Sequence, residues 1–380
     1  MLVTHLSLTD FRNYETAEVD LSPGANLFVG RNGQGKTNLV ESLGYLSTLG
    51  SHRVSTEHAL IRQGQESAIV RARLEHAGRQ VLAEVQINRG AANRAQVNRS
   101  AIKTRDLPRH FSSVLFAPED LALVRGEPSG RRRFLDELLV LRTPRLSGVM
   151  ADYERVLRQR NTLLKTARAS AARGDQLATL EIWDDRLVAL GSEILAARSV
   201  LVAELLPEIS SAYLAIAGED HHATIAGQLS IDASGDEPIL STKVLLTRDV
   251  AVRFREALTR VRRAELDRAI TLVGPHRDDL LLELNGMTAR GHASHGESWS
   301  FALALKLASA TVLRRESSSG DPVLILDDVF AELDQSRRAR LAAAIADFEQ
   351  VLITAAVYED VPSELTTTTI RIVQGRIEGA

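Results

Sequence analysis

Gly30-Arg-Asn-Gly-Gln-Gly-Lys36-Thr37 is the stretch that decides the fold, because it fits the pattern G-x-x-x-x-G-K-[ST] at every position. It lies between a short apolar run, Ala25–Val29, and a helical pattern from Lys36 to about Leu49. In that setting the glycines let the backbone wrap a phosphate, whose charge meets amide N–H groups and the positive end of the helix. Lys36 would reach the β- and γ-phosphates, and the Thr37 hydroxyl would bind Mg²⁺. The candidate ATP-binding residues of this P-loop are Gly30, Arg31, Asn32, Gly33, Gln34, Gly35, Lys36 and Thr37.

A pair of carboxylates follows a later apolar run. Val323-Leu-Ile-Leu326 leads directly into Asp327 and Asp328. A continuous apolar run is typical of a buried parallel strand, and α/β proteins bind ligands beyond the carboxyl ends of such strands. We expect Asp327 to hold Mg²⁺ and Asp328 to polarise the attacking water as a general base. Strand ends also carry carboxylates for other reasons, so this interpretation depends on the P-loop.

The composition is that of an ordinary soluble protein. The chain has 380 residues, of which 44% are hydrophobic and 25% charged, so we expect two or three domains or one large fold with an insertion. No apolar run approaches the ~18 residues needed to cross a membrane, and the N-terminus lacks a secretion signal. We therefore expect a cytoplasmic protein with no membrane partner. The absence of cysteine excludes disulfides and thiolate chemistry.

The charge is small overall but unevenly distributed. A formal net charge of −3 and an aromatic content of 4% argue against a constitutive nucleic-acid binder. Three runs are nevertheless basic: residues 125–173 carry a net +7, residues 86–109 a net +5 and residues 248–277 a net +4, against −19 for the remainder. Each run is either a solvated face or a local patch for an anionic partner.

The spacing of apolar residues changes twice along the chain. The first 125 residues have an α/β pattern with an antiparallel hairpin, whereas Arg131–Pro207 has helical spacing typical of two or three long helices. Later apolar runs, including Val351–Thr354, are again typical of buried parallel strands. This predicts an α/β fold whose sheets are split by a mostly helical lobe, with segments 1–125, 126–273 and 274–380.

Two further motifs resemble those of ABC-type ATPases. Ala293-Ser-His-Gly-Glu297 precedes a long helical run, and Ala331-Glu-Leu-Asp334 follows the acidic pair as the D-loop does in that class. The resemblance implies that Ser294 and Gly296 bind the γ-phosphate of a nucleotide held by a partner subunit, with Glu297 in the same signature motif and Asp334 in the D-loop. Backbone amides and a serine hydroxyl at a helix N-terminus suit an anion, although Ser-x-Gly-Glu is also a plain helix cap.

The separation between motifs narrows the class further. Lys36 and Ser294 stand far apart, which leaves room for an arm inside the ATPase and resembles the SMC/Rad50-like branch. The N-terminal Leu8–Tyr14 is similar to the turn of that branch where an Arg and a polar neighbour, here Arg12 and Asn13, approach the nucleotide.

Three longer blocks resemble the RecF family. They are Pro118–Asp136, Tyr153–Lys165 and Gly274–Leu280. With the P-loop and the acidic pair they extend over nearly the whole chain. This resemblance implies an ABC-type ATPase head with a helical arm lobe. Such a protein binds ATP and Mg²⁺ and forms a dimer with ATP between the subunits. The resemblance also implies binding of single- and double-stranded DNA, including gaps or junctions, in gap repair, replication and the SOS response, together with RecR and RecO.

Departures from the ABC pattern predict slow hydrolysis. No Gln occurs between Gln96 and Gln159, where the class has its Mg²⁺-sensing Gln, and Glu119 is the candidate substitute. No His follows His295, so the switch His is missing. Asp328 is one methylene shorter than the Glu of many relatives. We therefore expect a weak ATPase that times association and does not drive motion.

Arg131, Arg132 and Arg133 begin the helical lobe, where cations are disfavoured at the positive helix end. They are candidates for phosphate or partner contacts, or for a solvated helix start. Three other function classes remain as alternatives: an SMC-type structural chromosome ATPase, a transporter nucleotide-binding subunit and a small-molecule P-loop kinase. An insertion of about 150 residues is short for an SMC arm.

Overall fold

The computed structural model describes residues 1–54, 56–169, 175–232, 240–317 and 320–378. The chain divides into two compact units, which we describe separately. We call the first the P-loop unit, formed by Met1–Val124, Glu208–His221 and Ala293–Ala380. We call the second the helical unit, formed by Arg125–Pro207 and His222–His292.

The regular elements of the described residues follow one another along the chain as α-helices and β-strands. The helices are α1 Lys36–Thr48, α2 Leu121–Arg125, α3 Pro128–Arg142, α4 Arg145–Ala169, α5 Asp175–Ala217, α6 Thr247–Arg268, the short kinked α7 Ala289–His292, α8 His295–Glu316 and α9 Gln335–Ile345. The strands are β1 Leu2–Phe11, β2 Tyr14–Asp20, β3 Gly24–Val29, β4 Ser67–His76, β5 Arg79–Asn88, β6 Arg94–Val97, β7 Ser100–Ile102, β8 Ser113–Phe116, β9 Thr224–Gln228, β10 Leu240–Ser241, β11 Asp279–Leu284, β12 Met287–Thr288, β13 Val323–Asp327, β14 Gln350–Ala355, β15 Thr368–Val373 and β16 Arg376–Glu378.

Two six-stranded sheets build the P-loop unit. One is antiparallel, in the order β2-β1-β4-β5-β6-β7. The other has the order β16-β15-β3-β14-β13-β8, with β15, β3, β14, β13 and β8 parallel and β16 antiparallel. The predicted α/β class with mixed strand directions is confirmed.

A single apolar cluster joins α1 with both sheets. Val3 and Leu6 from β1 and Val70 from β4 pack in the same core as Leu39 from α1 and Ile325 from β13. All five side chains are buried, with at most 1% exposure. The continuous apolar runs predicted as buried parallel strands are therefore buried as expected: the residues of β13 and β14 are buried along their whole length.

The helical unit combines α3, α4, the first part of α5 and α6 with a four-stranded antiparallel sheet, β10-β9-β11-β12. Its apolar core includes Tyr153, Leu187 and Phe254. One guanidinium is fully buried beside this core: Arg160 donates to Asp184 at 2.7 Å and to Glu265 at 2.6 Å. Such a buried cation is tolerated because every neighbouring carboxylate is paired with it.

The units separate between Val124 and Arg125, one residue before the predicted 125/126, but they group residues 208–221 and 274–292 differently from the predicted segments 126–273 and 274–380. Residues 274–292 belong to the helical unit, because β11 pairs with β9 along the register Leu281↔Ala226. Residues 208–221 belong to the P-loop unit, where the Tyr213 ring packs edge-on against Phe301 of α8 at 5.9 Å. Strand pairing and ring packing decide where these two segments belong, and neither contact can be seen in the local sequence pattern.

Within the described residues, Thr179–Ala217 is long and apolar enough to cross a membrane by length and composition alone. The core helix of a soluble protein passes the same test. Here Leu187, Leu195 and Leu201 of that helix are 0% exposed. The buried Arg198 of the same helix also pairs with Asp136 at 2.8 Å. These contacts explain the apolar composition as protein packing.

Candidate functional site

The P-loop runs from the end of β3 into the first turn of α1. Gly33 and Gly35 have φ angles of 81° and 117°, a region that favours glycine, and α1 begins directly after Gly35. A Cβ on Gly35 would also lie 2.7 Å from the Tyr14 hydroxyl. Lys36 is only 3% exposed. The chain therefore forms a cradle of backbone amides with a buried ammonium at the N-terminus of a helix, which is the chemistry that holds phosphate.

Two distant segments hold this loop in place. The Asn13 side-chain amide donates to the Gln34 carbonyl oxygen at 3.3 Å, and the backbone N–H of Gly375 donates to the same oxygen at 2.9 Å. The backbone N–H of Gln374 donates to Gln34 Oε1 at 2.6 Å. The turn between β15 and β16 is therefore a support of the P-loop that the sequence analysis missed. Gln374-Gly375 was visible only as a turn dipeptide.

Arg12, which the sequence predicts near the nucleotide, is paired with a carboxylate of α1. Its Nη2 and Nε donate to the two oxygens of Glu41 at 2.7 and 2.9 Å, and its Nη1 donates to the Ala59 carbonyl at 2.9 Å. Glu41 lies on α1 and its side chain is only 1% exposed. The structure therefore engages the Arg12 guanidinium with α1, whereas its neighbour Asn13 contacts the P-loop itself. The sequence pattern did not show the buried carboxylate of Glu41, and a nucleotide contact of Arg12 stays a prediction.

Thr37 and Asp327, 290 positions apart, meet at the carboxyl edge of the mixed sheet. The Thr37 hydroxyl donates to Asp327 Oδ1 at 2.9 Å, and the Thr354 hydroxyl donates to the same oxygen at 2.6 Å. Burial raises the pKa of Asp327 to about 6, against the two hydroxyl bonds that lower it, and the charges of Asp328 and Glu119 raise it further. A cation placed here would lower this pKa, because it favours the ionised carboxylate.

Asp328 directly follows β13, and its backbone φ angle is 51°, which is unusual for a residue other than glycine. Its backbone N–H donates to the Thr354 hydroxyl at 2.9 Å. Its Oδ1 is buried with no hydrogen-bond partner among the described residues. A buried carboxylate oxygen without a donor is costly unless a ligand, ion or water completes it. Thr354, near the end of β14, was not singled out from the sequence.

The residues at this edge fit Mg²⁺. The donors are a hydroxyl and carboxylates, which are hard oxygen ligands, and the site leaves positions for phosphate oxygens and water. Glu119 is close enough to influence the titration of Asp327 electrostatically, so it adds negative charge to the same edge. The described residues contain no cluster of three acidic or histidine side chains that would hold a metal without such outside ligands.

Ser294, Gly296 and Glu297 form the start of α8. Ser294 is the N-cap: its Oγ accepts from the Glu297 N–H at 3.3 Å, and Glu297 Oε2 accepts from the Ser294 N–H at 2.7 Å. This is a capping box, one of the two interpretations that the sequence left open. Ser294 is also exposed, so capping leaves the helix end accessible to an anion.

Asp334 begins α9 in a similar way. Its Oδ1 accepts from the Arg337 N–H at 2.9 Å, and its Oδ2 lies 3.2 Å from Arg337 Nη1. Arg337 in turn lies against Gly296, since a Cβ on that glycine would be 2.5 Å from Arg337 Nη1. The proposed D-loop and the proposed signature motif are therefore connected within one chain.

The three arginines at the start of α3 have different environments. Arg131 is 4% exposed, and its Nε and Nη2 donate to Asp279 at 2.7 and 2.8 Å. Arg132 Nη1 donates to the Asp278 carbonyl at 2.8 Å. Arg133 is exposed and pairs with Glu137 at 2.7 Å. The sequence could not show the partner of Arg131, because Asp279 lies on β11, 148 positions away.

Two of the three basic runs are largely balanced inside the helical unit. In residues 125–173, arginines pair with carboxylates outside the run: Arg131 with Asp279, Arg142 with Glu204, Arg145 with Glu193, and Arg160 with Asp184 and Glu265. In residues 248–277, the pairs are Arg253 with Asp232, Arg255 with Asp185, and Arg262 with Asp184. The run at 86–109 differs, because Arg94, Arg99, Lys103 and Arg105 are all exposed on and beside β6 and β7.

Comparison with known proteins places these features in context. The family model described as RecF/RecN/SMC N terminal domain matches residues 2–376. The DNA replication and repair protein RecF of Leifsonia xyli subsp. xyli is 67% identical over 381 residues, which cover 99% of this chain and 99% of the relative.

Solved structures give the same picture. The recombination mediator protein RecF with ATP, in the RecFOR pathway, matches with a TM-score of 0.87 at 28% identity, covering 99% of this chain and 96% of that one. The Smc head domain of Pyrococcus furiosus matches with a TM-score of 0.53 at 14% identity, covering 99% of this chain and 94% of that one. This second likeness concerns the fold alone.

Proposed function

The chain belongs to the RecF family of DNA replication and repair proteins, and on that premise we propose that ATP joins two copies of it into a dimer that binds DNA. The ABC-type ATPase head split by a helical lobe is shared with the ATP-bound RecF structure, and the chain is an ATP-binding protein of that class. The observation that carries the proposal is the hydrogen bond of 2.9 Å between Thr37 and Asp327. It brings the P-loop and the acidic strand end together, which supports a shared site for Mg²⁺ and nucleotide.

Each residue of the site has a separate role in this proposal. The P-loop amides and Lys36 hold the phosphates, and Thr37 and Asp327 hold Mg²⁺, which neutralises phosphate charge when bound. Asp328 accepts a proton from the attacking water. Ser294 and Gly296 of a second copy bind the γ-phosphate from the opposite side at the N-terminus of α8.

Hydrolysis serves as a timer in this proposal. Val351–Thr354 is followed by Ala355 and Ala356, where the ABC class has its switch His, and the Thr354 hydroxyl cannot take up a proton as a histidine does. Asp328 is anchored by its backbone to that hydroxyl. The γ-phosphate therefore persists long enough to keep two copies together, and its loss separates them.

The exposed basic run at 86–109 is the DNA-facing surface that the charges support best. Arg94, Arg99, Lys103 and Arg105 present four cations from neighbouring positions of one sheet edge. In the other two runs, most of the positive charge is paired with carboxylates of the helical unit. A dimer would present this edge twice, so contacts too weak in one copy would act together.

The remaining functional details follow from the family. We propose that the protein acts in the cytoplasm in gap repair, replication and the SOS response, on single- and double-stranded DNA, with RecR and RecO as partners. A structural role of the SMC type is the second candidate. The helical unit argues against it, because Arg125–Pro207 and His222–His292 do not provide a long coiled-coil arm.

Analytical ultracentrifugation with and without ATP tests the dimer. We expect a dimer only with ATP and Mg²⁺, and none for Lys36→Met or Ser294→Arg. Ser317→Arg is the matched control, because it adds the same charge at the opposite, exposed end of α8. A Ser294→Arg protein that dimerises as the wild type does would refute the shared site.

Salt titration of DNA binding tests the surface. Lys103→Ala should lower affinity for every DNA sequence and reduce the slope of log affinity against log salt by about 1. Arg79→Ala, at the other end of β5, is the control and should leave the slope unchanged. Equal slopes for both variants would remove the 86–109 run from the interface.

A further inference from the structure

Arg337 connects the two motifs that the proposed dimer would bring to the nucleotide. Its guanidinium packs on Gly296, where a Cβ would lie 2.5 Å from Nη1, 3.0 Å from Nη2 and 3.1 Å from Cζ. Its Nη1 also lies 3.2 Å from Asp334 Oδ2. The side chain keeps 26% of its exposure, so the cation is not sealed inside the unit. No sequence motif pointed to this residue.

Two carboxylates lie close to the Arg337 guanidinium, one at the start of α8 and one at the start of α9. Glu297 caps the first turn of α8, and Asp334 caps α9. The hydrogen bonds from Ser294 hold the pKa of Glu297 low, and the charges of His221 and Arg337 lower it further. Bonds from the Arg337 N–H likewise hold the pKa of Asp334 low, with the charge of Arg337 contributing. Both groups are therefore anions at neutral pH.

This arrangement is unfavourable for a phosphate unless a cation compensates it. The N-terminus of a helix carries only about half a positive charge. Two full negative charges beside it would repel a nucleotide triphosphate held by another copy. Arg337 is the cation that touches Gly296 and pairs with Asp334, and His221 lies 3.5 Å from Glu297 on the other side.

We propose that Arg337 is the charge-compensating residue of the signature end of α8, and that it makes this end attractive to the γ-phosphate of a nucleotide bound to a second copy. The inference rests on the proposed ATP-joined dimer. It also explains why position 296 is glycine although its backbone does not require one: Gly296 has no positive φ angle. A side chain there would displace the guanidinium from the helix end.

A purely structural role for Arg337 predicts a different result. If the residue only fastens α9 to α8, its loss would lower stability and would not depend on the nearby carboxylates. If it compensates charge, removing one carboxylate should restore what the loss of the cation abolished. Glu297→Gln is suitable because glutamine retains the capping box.

The experiment measures dimerisation by sedimentation over a range of protein concentrations in ATP and Mg²⁺. Three variants are compared with the wild type: Arg337→Ala, Arg337→Lys and a double variant that combines Arg337→Ala with Glu297→Gln. A two-fold dimer contains two composite sites, so a loss of about tenfold per site gives a dimer dissociation constant raised about a hundredfold. Arg337→Lys should retain most of the affinity. The double variant should recover at least half of the loss on a logarithmic scale. ATP binding to the monomer should stay unchanged, since the P-loop holds that nucleotide.

Arg338→Ala is the matched control, because Arg338 lies next along α9 and pairs with Asp360 at 3.0 Å. It should dimerise as the wild type does. Wild type that dimerises with ATP while Arg337→Ala dimerises equally well would overturn this inference and leave the proposed function intact. A double variant as weak as Arg337→Ala would overturn the charge argument. Wild type that never dimerises with ATP would overturn both proposals.

Discussion

Replacing Arg12 by alanine separates two roles that this residue could have. The sequence pattern places it at the nucleotide, whereas the structure pairs it with Glu41 of α1 through bonds of 2.7 and 2.9 Å. Removing the guanidinium leaves a carboxylate whose side chain is 1% exposed. We therefore expect Arg12→Ala to act first on the stability of the P-loop unit.

The size of the effect follows from what remains around Glu41. Breaking a buried ion pair by removing one partner costs about 3–5 kcal/mol, because the other charge stays buried. Glu41 keeps the Ser51 hydroxyl at 2.5 Å, and Arg53 lies at 3.8 Å. These contacts, and the 15% exposure of Arg12, place the expected loss near the lower end, at about 3 kcal/mol.

Urea unfolding with a fluorescence reporter in each unit measures this loss. The chain has two tryptophans: Trp299 lies in α8 of the P-loop unit and Trp183 in α5 of the helical unit. In a Trp183→Phe background the signal of Trp299, which is 3% exposed, reports the P-loop unit alone. The matched partner variant is Arg12→Ala with Glu41→Gln, which removes the stranded charge and should recover much of the loss.

The pH dependence gives a second check. Although burial raises it, the pKa of Glu41 is lowered overall by bonds from Arg12 and Ser51. Its stabilising contribution is present above the ordinary Glu value and is lost as the pH falls through the lowered one. The penalty of Arg12→Ala should therefore shrink in acid. A loss below about 1 kcal/mol with ATP affinity reduced tenfold or more would refute the structural role and return Arg12 to the nucleotide.

Three further changes probe other groups. Thr354→Val removes the bond to Asp327 and the acceptor for the Asp328 N–H, so phosphate release should slow about tenfold while Thr354→Ser retains the rate. Asp328→Asn should slow phosphate release at least about a hundredfold and lengthen the life of the ATP dimer in sedimentation; unchanged turnover would exclude it as the base. Burial raises the pKa of Asp278 to about 6, against lowering by Arg198, Ser230 and Arg132, so its neutral form stabilises the fold at low pH and that stability is lost as the pH rises through 6. The wild type should therefore lose about 1.4 kcal/mol of unfolding free energy between pH 5 and pH 8 through this group, and Asp278→Asn should abolish that loss. An equal loss in the variant would contradict the raised pKa of Asp278.

Contiguous motifs were predictable because their chemistry depends on the local chain. The P-loop needs glycine at positions of positive φ, such as Gly33 and Gly35, and a lysine at the helix start. The strand before Asp327 needs a continuous apolar run because both of its faces are buried. Such requirements are written in neighbouring residues, and spacing along the chain conveys them.

Supports of the site were not predictable in this way. Gln374 and Gly375 hold Gln34 across 340 positions or more, and Thr354 reaches Asp327 from a neighbouring strand without any motif of its own. Arg337 reaches Gly296 only because α9 and α8 pack together. Hydrogen bonds between backbone groups and distant side chains leave no periodic signal in the sequence.

The sequence by itself determined the class of the protein, the nucleotide chemistry and the presence of a helical lobe, since these depend on short motifs and on apolar periodicity. Only the tertiary structure decided how the charges are used. Arg131 and Arg12 are typical of anion contacts in sequence, yet each meets a buried or partly buried carboxylate from a distant element. A charge is free for a ligand only when no closer partner compensates it, and in a folded chain that partner is chosen by packing.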